Sequence, residues 1–204
     1  MNARTLTALA RWHLGRLATF DALAACALGF LLGTLCAWSP FGERTAAALV
    51  ALSGAVFAIA FASSPGAVRS ARSLFLFSAP LYGRELARGL AIAPGLLAAL
   101  FPLAACAGWS LERQTHLSSW LLPVMCALVA SLIALSATLR ETWRAALYRA
   151  LALCAAAGLA ALSLLSRDDA ASHVAVALLA LPLGFFALRA FGETLARYDP
   201  LTEF

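Results

Sequence analysis

Three histidines, five cysteines and ten acidic residues are the side chains of the 204-residue chain best suited to acid–base, thiol or metal chemistry. Their spacing assembles none of it. His13, His116 and His173 are far apart, and Cys26, Cys36, Cys106, Cys126 and Cys154 show no metal-ligand spacing. An odd cysteine count inside apolar runs also argues against a disulfide framework, so these residues read as small apolar packing groups. The chain contains no phosphate-binding Walker A loop, nucleophile elbow or His-Glu-x-x-His motif. No catalytic, metal-ligating or cofactor-binding residue is therefore assigned, and the chain is not expected to be an enzyme by itself. Asp168-Asp169 is an adjacent pair whose side chains diverge, a solvated loop rather than a metal site. Asp21 stands before an apolar run, where a helix N-terminus favours an anion; it reads as a cap near Arg16 rather than a proton or substrate site.

What remains is arginine, present fifteen times with no lysine beside it. The background in which those charges sit decides what they can do. Of all residues 63% are hydrophobic and 12% charged, with a mean hydropathy of +0.86. A soluble domain carries about 45–50% apolar and about 25% charged residues, so soluble globular and disordered classes are excluded and lipid is the main solvent.

Apolar runs of 17 residues or more can cross about 30 Å of hydrocarbon as helices. Six qualify: Ala22–Trp38, Thr45–Ala62, Leu90–Trp109, Trp120–Leu139, Ala145–Leu165 and Val174–Phe191. The expected fold is all-α, a single polytopic membrane domain over residues 1–204. Counting Arg149 near the start of span five and Arg189 near the end of span six, twelve arginines fall before span one, between spans two and three, between four and five, and after span six, against three (Arg44, Arg113, Arg167) on the other side. This bias predicts cytoplasmic termini, and the anionic leaflet accounts for the basic charge without nucleic acid. Trp38, Trp109, Trp120 and Trp143 are expected at the interfaces. Leu6, Leu9, Trp12, Leu17 and Phe20 recur at helical spacing, which predicts an interfacial helix within residues 1–20. A cleaved leader is not expected, because the first apolar run begins some twenty residues in. Lipidation at Cys26 is not expected either, since Arg16 and Asp21 stand where an apolar region is needed.

Two small-residue ridges invite close helix approach: Ala25, Gly29, Gly33 and Ala37 in span one, and Ala150, Cys154 and Gly158 in span five. The unbroken first ridge is the better candidate for helix packing or a contact with a second copy. Pro94, Pro102, Pro123 and Pro182 each remove a backbone donor and are expected to kink their spans.

The loop between spans two and three is the most patterned segment. Ser64-Pro65 starts a helix well. Val68, Ala71, Leu74 and Phe75 then alternate with Arg69, Ser70, Arg72 and Ser73, which predicts a short amphipathic helix within 64–77. The stretch Leu74-Phe75-Leu76-Phe77-Ser78-Ala79-Pro80-Leu81-Tyr82-Gly83-Arg84-Glu85-Leu86 resembles the corresponding loop in membrane subunits of type-two ABC exporters, where a Leu-rich segment, a Ser-x-Pro turn and an Arg-Glu pair precede span three. The six-span layout is similar too, and its compactness resembles the haem-exporter-like branch. The resemblance implies a permease subunit in a bacterial inner membrane, paired with a second membrane subunit, either itself or a paralogue. ATP would sit on a separate ATP-binding-cassette subunit, with no cofactor on this chain. Val68–Phe77 would be the coupling helix, with Arg69, Arg72, Arg84, Glu85 and Arg88 at or near the ATPase contact. The cargo would be apolar or amphipathic. A structural or assembly subunit of a larger membrane complex, its loop anchored on anionic lipid, is the alternative.

Overall fold

A computed structural model describes residues 19–63, 83–138, 142–166 and 169–197, and among them every regular element is a helix. The elements are α1 (Thr19–Trp38), α2 (Glu43–Ala62), α3 (Gly83–Ser110), α4 (Leu117–Thr138), α5 (Thr142–Leu165), α6 (Ala170–Leu178) and α7 (Ala180–Arg197). Six helical segments are long and apolar enough to cross a membrane, α6 and α7 together forming the sixth. The six runs expected from hydropathy all reappear with ends moved by a few residues. The interfacial helix expected before residue 19 and the coupling helix expected within 64–77 lie outside the described residues.

Each long segment is helical because it is rich in alanine and leucine, and helix is the structure that satisfies its own backbone in hydrocarbon. Pro94, Pro102 and Pro123 are accommodated inside continuous helices. The sixth span is interrupted instead. Pro182 has no N–H to donate to Leu178, and its ring crowds that carbonyl, so the first piece ends at Leu178. The Leu179 N–H bonds to Ala175 O at 3.3 Å and Val176 O at 3.2 Å, a tightened last turn.

Burial separates a centre from a periphery. In α4 67% of the spanning window is buried, and in α2 and α3 56%, against 28% in α1, α5 and the α6–α7 pair. The centre is lined largely by alanine, including Ala51, Ala55, Ala58, Ala98, Ala127 and Ala134, and the periphery carries exposed leucine and phenylalanine. A soluble protein with so large an apolar exterior would aggregate; facing lipid, it is at rest. Two of the hydroxyls buried in α4 return to their own helix: Ser131 Oγ donates to Leu128 O at 2.8 Å and Thr138 Oγ1 to Leu135 O at 2.7 Å.

The closest seam joins α1 to α3. A Cβ placed on Gly29 would overlap the Phe101 carbonyl, one on Gly33 the Ala105 carbonyl, and one on Gly108 the Phe30 carbonyl. The two backbones therefore touch, which only glycine allows. Ala25 and Ala37 of the same ridge are buried as well. The span-one ridge expected as helix packing or a dimer contact is thus occupied within the chain. Ala150, Cys154 and Gly158 in α5 are exposed, and a Cβ on Gly158 would meet nothing within 4 Å.

These two glycines give a matched test. Gly33→Ala should lower unfolding stability in detergent by about 1–3 kcal/mol through overpacking against backbone. Gly158→Ala should be neutral or raise it, by up to about 1 kcal/mol, through helix propensity. Equal melting shifts for the two would contradict the seam.

Candidate functional site

Charge placement along the helices defines two ends. Arg88, Arg144, Arg149, Arg189 and Arg197 lie on helix segments toward one end, and Glu43, Arg44 and Arg113 lie at the other. Acidic, basic and imidazole side chains of α1 to α4 lie in the turns nearest the helix ends, whereas Arg149 lies in the third turn of α5 and Arg189 in the middle of α7.

At the arginine-poor end the few charges tie loops together. Glu43 Oε1 accepts from the His116 N–H at 2.8 Å and from Trp120 Nε1 at 3.1 Å, joining the start of α2 to the start of α4. Arg44 Nη2 donates to Leu164 O at 3.2 Å and also reaches the Ser163 and Ser166 carbonyls, closing the C-terminus of α5. Arg113 donates to Phe41 O at 3.0 Å and Ser39 O at 2.8 Å, and lies 5.3 Å above the Trp109 ring. Two of the three arginines on this side therefore serve as clamps on carbonyl groups.

The tryptophans divide. Trp38 and Trp143 are exposed at helix ends, as the interfacial reading expects. Trp109 and Trp120 are instead buried, packed together with ring centroids 6.1 Å apart. Their indole N–H groups have partners in Gln114 O and Glu43, which lets the rings turn inward beside the α3–α4 connection. Span two begins at Glu43 rather than at the expected Thr45, so an acidic residue stands in its first turn.

Between these loops lies a polar cavity of about 610 Å³, lined by Glu43, Arg44, His116, Ser119, Asp169 and His173 among others. Ser119 Oγ and His173 Nδ1 are 3.2 Å apart and both residues are buried, a bond between α4 and α6. Spacing alone could not reveal this pair, because 54 residues separate its members. Asp169, half of the acidic pair read as a solvated loop, caps α6 by accepting from the Ser172 N–H at 2.7 Å. The Ser172 hydroxyl, and after it the Ser172 N–H, holds the Asp169 carboxyl below the ordinary value of 3.8. The cap's contribution is complete above about pH 4 and is lost as the pH falls through the lowered folded value. Asp168 lies outside the described residues. Glu43, Arg44 and Asp169 all hold backbone or indole groups, so loop ties form much of the cavity wall.

The second concavity is apolar. A groove of about 720 Å³ runs between α3, α4 and α7, with Gly95, Met125, Val129, Leu132 and Gly184 among its lining. Arg88 stands at one end of it, and Arg189 lies beside Arg88, Phe185 and Leu188 in the adjoining hollow. Of the residues expected at an ATPase contact, Arg69 and Arg72 lie outside the described residues. Arg84 and Glu85 fall in the first turn of α3, and Arg88 is exposed on that helix at the mouth of the groove. The signal for the groove was present as Gly95 and Gly184, glycines on two different spans, but nothing in the sequence pairs them. Asp21 sits in the first turn of α1, half-buried. Among the described residues no group of three metal-ligating side chains converges. Compared with known protein families, characterised proteins and solved structures, the chain finds no match.

Glu43→Ala removes the acceptor of two hydrogen bonds. It should cost about 2–3 kcal/mol and change the fluorescence of Trp120; an unaltered melting curve and spectrum would show that Glu43 does not join the two helices.

Proposed function

We propose that the chain is the membrane permease subunit of an ABC exporter for an apolar or amphipathic cargo, with ATP hydrolysed on a separate subunit. The observation that carries this reading is mechanical. The segment that resembles an ATPase-docking loop leads directly into α3, and α3 is joined backbone to backbone with α1 through Gly29, Gly33 and Gly108. A push on that loop would carry two spans as one body, while α5 packs against α2 and α4 and has no such seam with α3. Rigid-body displacement of one part of a bundle against another is how such switches work. The absence of acidic, basic and imidazole groups from the central turns of α1 to α4 supports an apolar or amphipathic cargo, because an ionic cargo would need partners there.

In this reading the termini and the 64–82 loop face the cytoplasm of a bacterial inner membrane, as the arginine bias implies. Arg69 and Arg72, with Arg84 and Glu85 at the start of α3, meet the ATPase. Arg88 stands at the groove mouth. A second membrane subunit, another copy or a paralogue, completes the pathway.

Mild-detergent purification should recover an ATP-binding-cassette subunit with the chain. The Arg69→Glu, Arg72→Glu double variant should reduce that recovery about tenfold, the scale of one or two lost charge-assisted contacts, while the variant still elutes as a folded species. Undiminished recovery would remove the coupling role. Recovery of a different membrane assembly in place of an ATPase would favour the structural-subunit alternative.

A further inference from the structure

The groove between α3, α4 and α7 has a shape and a charge distribution that the permease reading does not require. Along α3 it extends from Arg88 to Leu96, and along α7 from Leu188 to Leu181. Eight residues of helix rise about 12 Å. That is close to one leaflet, since the hydrocarbon core is about 30 Å thick. The groove therefore starts at the arginine-rich end and stops near the middle of the bundle.

Its floor is made by residues with little or no side chain or by buried ones. Gly95, Ala91, Val129 and Ala180 are buried, and Gly184 leaves room opposite Val129 and Leu132. Its rim is Leu96, Leu181 and Phe185, all more than half exposed. An apolar channel with an open side and an apolar rim fits a flexible hydrocarbon chain entering from the bilayer.

The mouth is cationic. Arg88 is exposed and makes no ion pair among the described residues. Arg189 donates to Glu193 through Nε at 3.0 Å, a bond between half-exposed groups that does not involve its two terminal nitrogens. Among the described side chains, two guanidinium groups against one carboxylate leave a net positive mouth. Guanidinium groups pair with phosphate through parallel N–H···O bonds, and a headgroup without its own cation leaves that phosphate charge uncompensated for them.

We infer that this groove holds one acyl chain of an anionic phospholipid from the arginine-side leaflet, its phosphate resting on Arg88 and Arg189. Membrane lipid is the occupant because the groove opens sideways along the apolar exterior of the spans and covers the depth of one leaflet. The inference stands whether or not the chain transports anything.

The test uses the full chain in nanodiscs of phosphatidylcholine. Trace phosphatidylglycerol or phosphatidylcholine is added with a photoactivatable group on one acyl chain. The phosphatidylglycerol probe should label peptides containing Gly95 and Gly184 about tenfold more than the phosphatidylcholine probe, the scale of a lost charged contact. Arg88→Gln with Arg189→Gln should abolish that preference. Gly184→Leu, whose Cβ meets only ordinary contacts and whose longer side chain fills the groove, should reduce labelling by both probes. Native mass spectrometry of the unaltered chain should also show one retained phosphatidylglycerol. Equal labelling by the two probes, a preference that survives loss of both arginines, or wild-type protein with no retained anionic lipid would each overturn the assignment. So would loss of an oligomer in Gly184→Leu without any lipid labelling, which would give the groove to a second copy of the chain.

Discussion

In hydrocarbon no hydrophobic force draws one helix to another, because the tails are as apolar as leucine. What remains is close packing, and it is strongest where backbones touch. The α1–α3 seam is that contact in this chain. Gly29 and Gly33 meet the Phe101 and Ala105 carbonyls, and Gly108 meets Phe30. The same principle explains why the enclosed helices are alanine-rich and the outer faces are leucine and phenylalanine. Side-chain volume would push the helices apart at the centre and costs nothing at the lipid face.

Charge follows from the same solvent. A charge in the middle of a span would be expensive, so the acidic, basic and imidazole groups of α1 to α4 lie near helix ends, and Arg189 in the middle of α7 pairs with Glu193. The two ends then use them differently. Where arginine is scarce, Arg44 and Arg113 donate to carbonyls that the loops would otherwise leave without protein partners, and Glu43 does the reverse for an N–H and an indole. Where arginine is abundant, Arg88 is exposed, Arg189 pairs with Glu193 and Arg144 lies over the Trp143 ring.

The six spans were legible in the sequence because each is a long apolar run with polar punctuation, and lipid leaves helix as the available structure. The effect of Pro182 was legible too, since a missing donor acts locally. The placement of the small-residue ridges was not. Ala25–Ala37 and Ala150–Gly158 look alike as spacing, and only the fold shows that the first faces α3 while the second is open. Trp109 and Trp120 were read as interfacial because their position in the chain says how deep they lie and not which way they turn. The groove and the Ser119–His173 bond depend on spans that meet only in three dimensions. The coupling loop, which carries most of the functional reading, lies outside the described residues.

The claim that organises this account is that α1 and α3 move as one body under the loop that precedes α3. Spin labels at exposed Leu31 in α1 and Leu103 in α3, compared with a pair at Leu31 and Leu162 in α5, measure it directly by pulsed electron resonance. The measurement is made on the chain with the ATP-binding-cassette subunit it is proposed to bind, without nucleotide and with trapped ATP, and with the native cysteines replaced. The account predicts that the Leu31–Leu103 distance stays constant while the Leu31–Leu162 distance changes. A Leu31–Leu103 distance that changes with nucleotide as much as the other pair would contradict it.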